Sequence, residues 1–130
     1  MANITLRLLG RGFVGAFSFV SLGPVSPYSI LDLALEVYIP GAHGYGCPEG
    51  QCVYTVTNGQ ALLVEAKVKR SRGNDAEPKV NKKRLQRVAM CFAADHPEVE
   101  AISFDVLEVI VGSEATLTFN AAKAAFTWER

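Results

Sequence analysis

Glu65 and Lys67, in the run Leu62-Leu63-Val64-Glu65-Ala66-Lys67, are the residues of this sequence whose types and spacing best suit a reaction. Two residues apart on a strand, a carboxylate and an ammonium project from the same face. Such a pair serves metal-assisted hydrolysis of a phosphodiester. The carboxylate binds a divalent cation, Mg2+ or Mn2+, and the lysine orients water or steadies charge developing on phosphate. A second acid from the neighbouring strand completes the site. By itself E-x-K is a short motif, and an exposed ion pair explains it as readily. Its meaning depends on the elements that hold it.

Residues 51–57 and 60–70 are rich in Val, Thr, Tyr and Leu and are separated by Asn58-Gly59. That dipeptide is favoured in a two-residue type I′ hairpin turn, where both positions need positive φ. Paired residue numbers then sum to 117, which sets Cys52 opposite Glu65, Gly50 opposite Lys67 and Tyr54 opposite Leu63. Cys52 thus stands where the second acid is needed, and thiolate suits a hard, oxygen-seeking Mg2+ poorly. Glu49 is the nearest substitute, although it falls on the other face unless a bulge shifts the strand. Glu36, on a preceding helix, is a second outer candidate.

The remaining elements follow from period and punctuation. Residues 4–9 and 13–20 read as strands about Gly10 and Gly12. The stretch 13–22 is apolar but lacks an Ala-x-Ala cleavage signature and is too short and interrupted to span a bilayer, so it reads as buried strand, with no membrane partner. Ile30, Leu33, Ala34 and Val37 define a helix over 26–38, begun by Ser26 and Pro27 and stopped by Pro40. With four glycines and Pro48, 41–50 reads as a loop, as does 71–78. Asn81 caps a helix reaching His96, with Leu85, Val88, Ala89 and Phe92 as its apolar stripe. Residues 101–111 and 116–119 read as strands and 120–128 as a terminal helix. The alternation predicts one α/β layered domain.

Composition agrees: 130 residues, 49% hydrophobic and 20% charged, describe a folded domain that needs neither disulfides nor metal to hold a core. Three cysteines without a CxxC pair, and two histidines, make a structural zinc site a poor fit; reduced thiols suit a cytoplasmic protein. Thirteen Lys and Arg balance thirteen Asp and Glu, which taken whole disfavours a nucleic-acid partner. The balance is uneven along the chain. Residues 67–87 carry nine bases against Asp75 and Glu77, a net charge of +7, between segments of −2 and −5. Neutrality conceals one strongly basic block that begins at Lys67.

Taken in order, these motifs resemble the PD-(D/E)xK nuclease superfamily and, more narrowly, the YraN-like family of endonuclease-related proteins. The resemblance rests on Val64-Glu65-Ala66-Lys67 with Lys69-Arg70, then Lys82-Lys83-Arg84-Leu85, Ala93-Ala94-Asp95-His96-Pro97, Phe104-Asp105-Val106-Leu107 and Lys123-Ala124-Ala125-Phe126. It implies a single-domain, restriction-endonuclease-like mixed sheet flanked by helices over 1–130, with a divergent 1–46 and a family-like core over 47–128. It further implies Glu65 and Lys67 as catalytic residues, Glu65 and Glu49 as ligands to Mg2+ or Mn2+, and DNA held by Lys69, Arg70, Arg72, Lys82, Lys83 and Arg87. Two features depart from the pattern: 1–40 lacks the family's G-E-x-x-A helix, and Gly50-Gln51-Cys52-Val53 stands where the family has G-E-I-D. The alternative is therefore a nuclease-like module that has lost its metal site and acts through DNA or protein contacts, and DNA binding ranks above cleavage. The apolar N-terminal strands leave an edge through which a homodimer can pair.

Overall fold

The Asn58-Gly59 turn forms as its residues demand, with φ of 52° and 75°, and the strands on either side pair from Thr57 with Gln60 to Val53 with Val64. Around this hairpin, the computed structural model describes residues 2–9, 15–22, 27–70, 78–111 and 116–130. In chain order the elements are β1 (Ala2–Leu9), β2 (Gly15–Leu22), α1 (Pro27–Tyr38), β3 (His43–Cys47), β4 (Gly50–Thr57), β5 (Gln60–Arg70), α2 (Lys82–Asp95), β6 (Ala101–Val111) and β7 (Thr116–Glu129). The strands join in one mixed sheet of order β2-β1-β7-β6-β5-β4-β3, with β5/β6 and β1/β7 parallel and the other pairs antiparallel. This is the α/β mixed sheet flanked by helices that the sequence implies.

A helix covers each face. Leu85, Val88, Ala89 and Phe92 of α2 pack with Leu63, Ile102, Phe104, Val106 and Ala122. On the other face, Ala34 of α1 packs with Val64, Leu107, Val109 and Phe119. Consecutive residues such as Leu63 and Val64, or Val106 and Leu107, thus enter opposite core layers. Burial on both faces is what gives the central strands their unbroken apolar character.

Two sequence expectations are corrected. Residues 41–50 are not a loop: β3 pairs with β4 from His43 opposite Tyr54 to Cys47 opposite Gly50, around a turn at Pro48-Glu49. Tyr45 and Cys47 pack toward the core while Gly44 and Gly46, which alternate with them, are exposed, so glycine masks the period of two. An outer strand tolerates such residues. The C-terminal residues 120–128 are not a helix either. They continue β7, which pairs with β6 along the length of both strands, from Val111 opposite Leu117 to Ala101 opposite Glu129. The alanines favour helix locally, but a long, apolar neighbouring strand outweighs that weak preference.

The β6/β7 register shifts between Phe104 and Val106, where three residues of β7 (123–125) face Asp105 alone. Ala124 adopts φ 49° there, and its N–H donates to Asp105 Oδ1 at 2.8 Å. The Tyr38 hydroxyl, from α1, donates to Oδ2 at 2.9 Å. A buried carboxylate, with a residual exposure of 6%, therefore clamps the bulge and ties it to the helix. No helix among the described residues is long and apolar enough to cross a membrane.

Candidate functional site

β5 and β6 are parallel and α2 connects them, and the first turn of α2 lies over the middle of β5, where Arg84 reaches Glu65. Asn81 caps the helix, its side-chain oxygen accepting from the Arg84 N–H at 3.2 Å. The cap brings Arg84 into position above β5.

There Arg84 meets Glu65. Its Nη2 donates to both carboxylate oxygens, and the two side chains are largely buried, with exposures of 30% and 17%. Gly50 makes room for the contact: a Cβ at that position would lie 2.8 Å from Arg84 Nη1. The carboxylate read as a metal ligand is thus engaged by a guanidinium. Glu49, the expected second ligand, accepts instead from Arg87 Nε at 2.9 Å. Glu36 lies on α1, which covers the opposite face of the sheet from Glu65 and Arg84. Cys52 is buried against α2 as an apolar residue. Among the described residues, no three His, Cys, Asp or Glu side chains gather as a metal site would require. Two carboxylates held by two arginines, with the Cys52 thiol buried, do not fit a hard divalent cation.

The bases divide into two groups. Lys69 Nζ lies 3.2 Å from Glu108 Oε2, and Arg87 is the partner of Glu49. Glu108 is itself buried, and its Oε1 has no hydrogen-bond partner among the described residues. Lys67, Lys79, Lys82 and Lys83 are exposed and form no ion pair with a described residue. Arg72 and the side chain of Arg70 lie outside the described residues.

The distribution of charge along the chain does not single out Lys123, which sits within the acidic C-terminal block, in a stretch whose alanines favour helix. The β7 bulge turns it into an exposed position. There it lines, with Lys82, Val80 and the neighbouring alanines, a groove of about 280 Å³ between the start of α2 and β7. Nor does the sequence single out Arg84 as a partner of Glu65. Only its place in the Lys82-Lys83-Arg84 run marked it, and that run does not disclose its partner.

At the other end of α2, His96 stacks on Phe92 with centroids 4.0 Å apart, and its Nδ1 lies 3.0 Å from the Phe92 carbonyl oxygen. It caps and packs the helix end. Trp128 packs against the α2-side core beneath the Arg130 guanidinium, 5.2 Å from its ring centroid. Neither residue faces the basic end.

Buried acids of the neutral kind give the fold an alkaline limit. Burial, reinforced by Cys47 and Glu65, pushes the Cys52 thiol up to about 12 from an ordinary 9.0. Burial and the Asp105 carboxylate likewise raise Tyr38 well above its ordinary 10.0. Both groups keep their protons in the folded chain while the unfolded chain loses them first. Stability is therefore full below about pH 9 and falls as pH rises toward 12. Urea denaturation midpoints measured across this range are expected to decline steadily, with Tyr38→Phe flattening the part above pH 10. A midpoint constant from pH 9 to 12 would contradict these environments.

Comparison of the chain with protein-family models, with curated proteins and with solved structures finds no match in any of the three.

Proposed function

We propose that this chain is a nucleic-acid-binding protein with an endonuclease-like fold, that it grips phosphates with the basic end of α2, and that Glu65 serves there as the anchor of Arg84. The observation that carries the reading is that Lys82 and Lys123, both exposed, line one groove beside the start of α2, with the exposed Lys83 next in the same helical turn and Lys67 exposed on β5. Two of them come from the first turn of a helix, whose amide groups add a positive potential. Phosphate contacts of this kind position a protein on nucleic acid without reading sequence. The resemblance to the PD-(D/E)xK superfamily supports DNA as the polymer.

The ion pair also bears on chemistry. A carboxylate engaged by a guanidinium is a poor ligand for Mg2+, so binding, rather than hydrolysis, is the expected activity. The test is fluorescence anisotropy with a labelled DNA duplex over a range of salt. Affinity is expected to fall steeply as salt rises, because neutralised phosphates release their counterions. Failure to bind at low salt overturns the reading. DNA cleavage in Mg2+ or Mn2+ that vanishes in Glu65→Ala overturns the assignment of Glu65 as an anchor only.

A further inference from the structure

The three cysteines are free thiols, and they are not dispersed. Cys47 ends β3, an outer strand of the sheet, and Cys91 lies on α2; both are partly exposed. The Tyr45 hydroxyl, two residues before Cys47, donates at 2.8 Å to Asp95 Oδ2, one helical turn beyond Cys91, so strand and helix face each other at the two cysteines. The surroundings hold them there. Cys47 packs against the α2-side core, and Arg87, one helical turn before Cys91, is fastened at 2.9 Å to Glu49, two residues beyond Cys47. Cys91 and Glu49 line the same surface groove.

We propose that Cys47 and Cys91 are an oxidisable pair that forms an intramolecular disulfide and fastens the sheet edge to α2. The oxidant is a small disulfide, RS–SR, of the glutathione class. One protein thiol, having given its proton to water, attacks a sulfur of RS–SR and expels RS−, leaving a mixed disulfide. The second thiol, likewise deprotonated, attacks the protein sulfur of that mixed disulfide and expels the other RS−. Two protein thiols are oxidised, the small disulfide is reduced to two thiols, and the protons released match those taken up by the RS− groups.

Proximity drives the second step, since the contacts on either side hold the two cysteines on facing segments. Intrinsic reactivity does not: burial and the neighbouring Cys47, Glu49 and Asp95 raise the Cys91 thiol above its ordinary range, which makes it a slow nucleophile toward other reagents. Cys52, the third thiol, is buried and stays reduced. The proposal is independent of what the basic end of α2 binds.

The experiment treats the full chain with glutathione disulfide, blocks remaining thiols with N-ethylmaleimide and maps the peptides by mass spectrometry. The expected product is a monomer carrying a Cys47–Cys91 crosslink, two hydrogens lighter, with Cys52 alkylated only after denaturation. Because the bond closes a long loop, Tm should rise by about 10 °C and return on adding dithiothreitol. Cys52→Ala should behave as the native chain does, whereas Cys47→Ser and Cys91→Ser should show neither crosslink nor shift. Three alkylated thiols after oxidation, a bond to Cys52, or crosslinks formed only between molecules would each overturn the proposal.

Discussion

Replacing Lys67, Lys82, Lys83 and Lys123 together by alanine is expected to lower affinity for duplex DNA about 1,000-fold near 0.1 M salt. Each lysine that neutralises a phosphate contributes about 0.9 to the slope of log affinity against log salt. Removing four should therefore flatten the slope by about 3 to 4, one increment for each phosphate left without its lysine. The fold should be indifferent, because all four side chains are exposed and none forms an ion pair with a described residue. The contrast is Lys69→Ala. Lys69 neutralises a buried glutamate, so its loss should lower Tm through the unpaired Glu108 while changing the salt slope little. An unchanged slope in the fourfold variant would show that phosphate binds elsewhere. A slope change in Lys69→Ala as large as one quarter of the fourfold effect would return that residue to the binding face.

Arg84→Ala is expected to destabilise the protein by about 2 kcal/mol, between the value of an exposed pair and that of a fully buried one. The intermediate figure follows from exposures of 30% for Arg84 and 17% for Glu65. Truncation leaves a mostly buried carboxylate with neither of its oxygens held by the guanidinium. For a chain of this length the change corresponds to a Tm lower by about 6–10 °C, measurable by thermal unfolding. Arg84→Met combined with Glu65→Leu should recover most of the loss, since removing both charges removes the uncompensated one. If Arg84→Ala melts with the native chain, the pair contributes no stability and Glu65 is accessible to other partners. Gly50→Ala offers a milder probe, because the added methyl group meets the guanidinium, not the backbone.

Much of the core was legible because its signals are local. Asn58-Gly59 accepts positive φ, so the turn and the pairing around it follow from two adjacent residues. Asn81 and the Leu85, Val88, Ala89 and Phe92 spacing define α2 and its buried face with no knowledge of what lies beneath. The candidate site was legible only as a set of residue types. Glu65 and Lys67 share a face as the alternation requires, yet a carboxylate on a strand looks the same whether a cation or a guanidinium awaits it. The partner, Arg84, is nineteen positions away and arrives by the crossing of a helix.

Where local preference and long-range pairing disagree, pairing prevails. Residues 120–128 contain four alanines and still form strand, because β6 presents a continuous row of backbone groups to satisfy. Residues 41–50 carry four glycines, and three of these, Gly44, Gly46 and Gly50, sit in the strands of a hairpin whose other face packs toward α2.

From its sequence alone, this protein has an α/β character, most of its strand and helix positions, the register of its central hairpin and a basic segment beginning at Lys67. These depend on neighbours within a few residues, whose spacing is set by covalent geometry. Only the tertiary structure decides that Glu65 belongs to Arg84, that Lys69 and Arg87 are occupied by acids, and that Lys123 joins Lys82 across a bulge. Those are contacts between distant segments, and their electrostatics depend on distance and burial, which residue order does not contain.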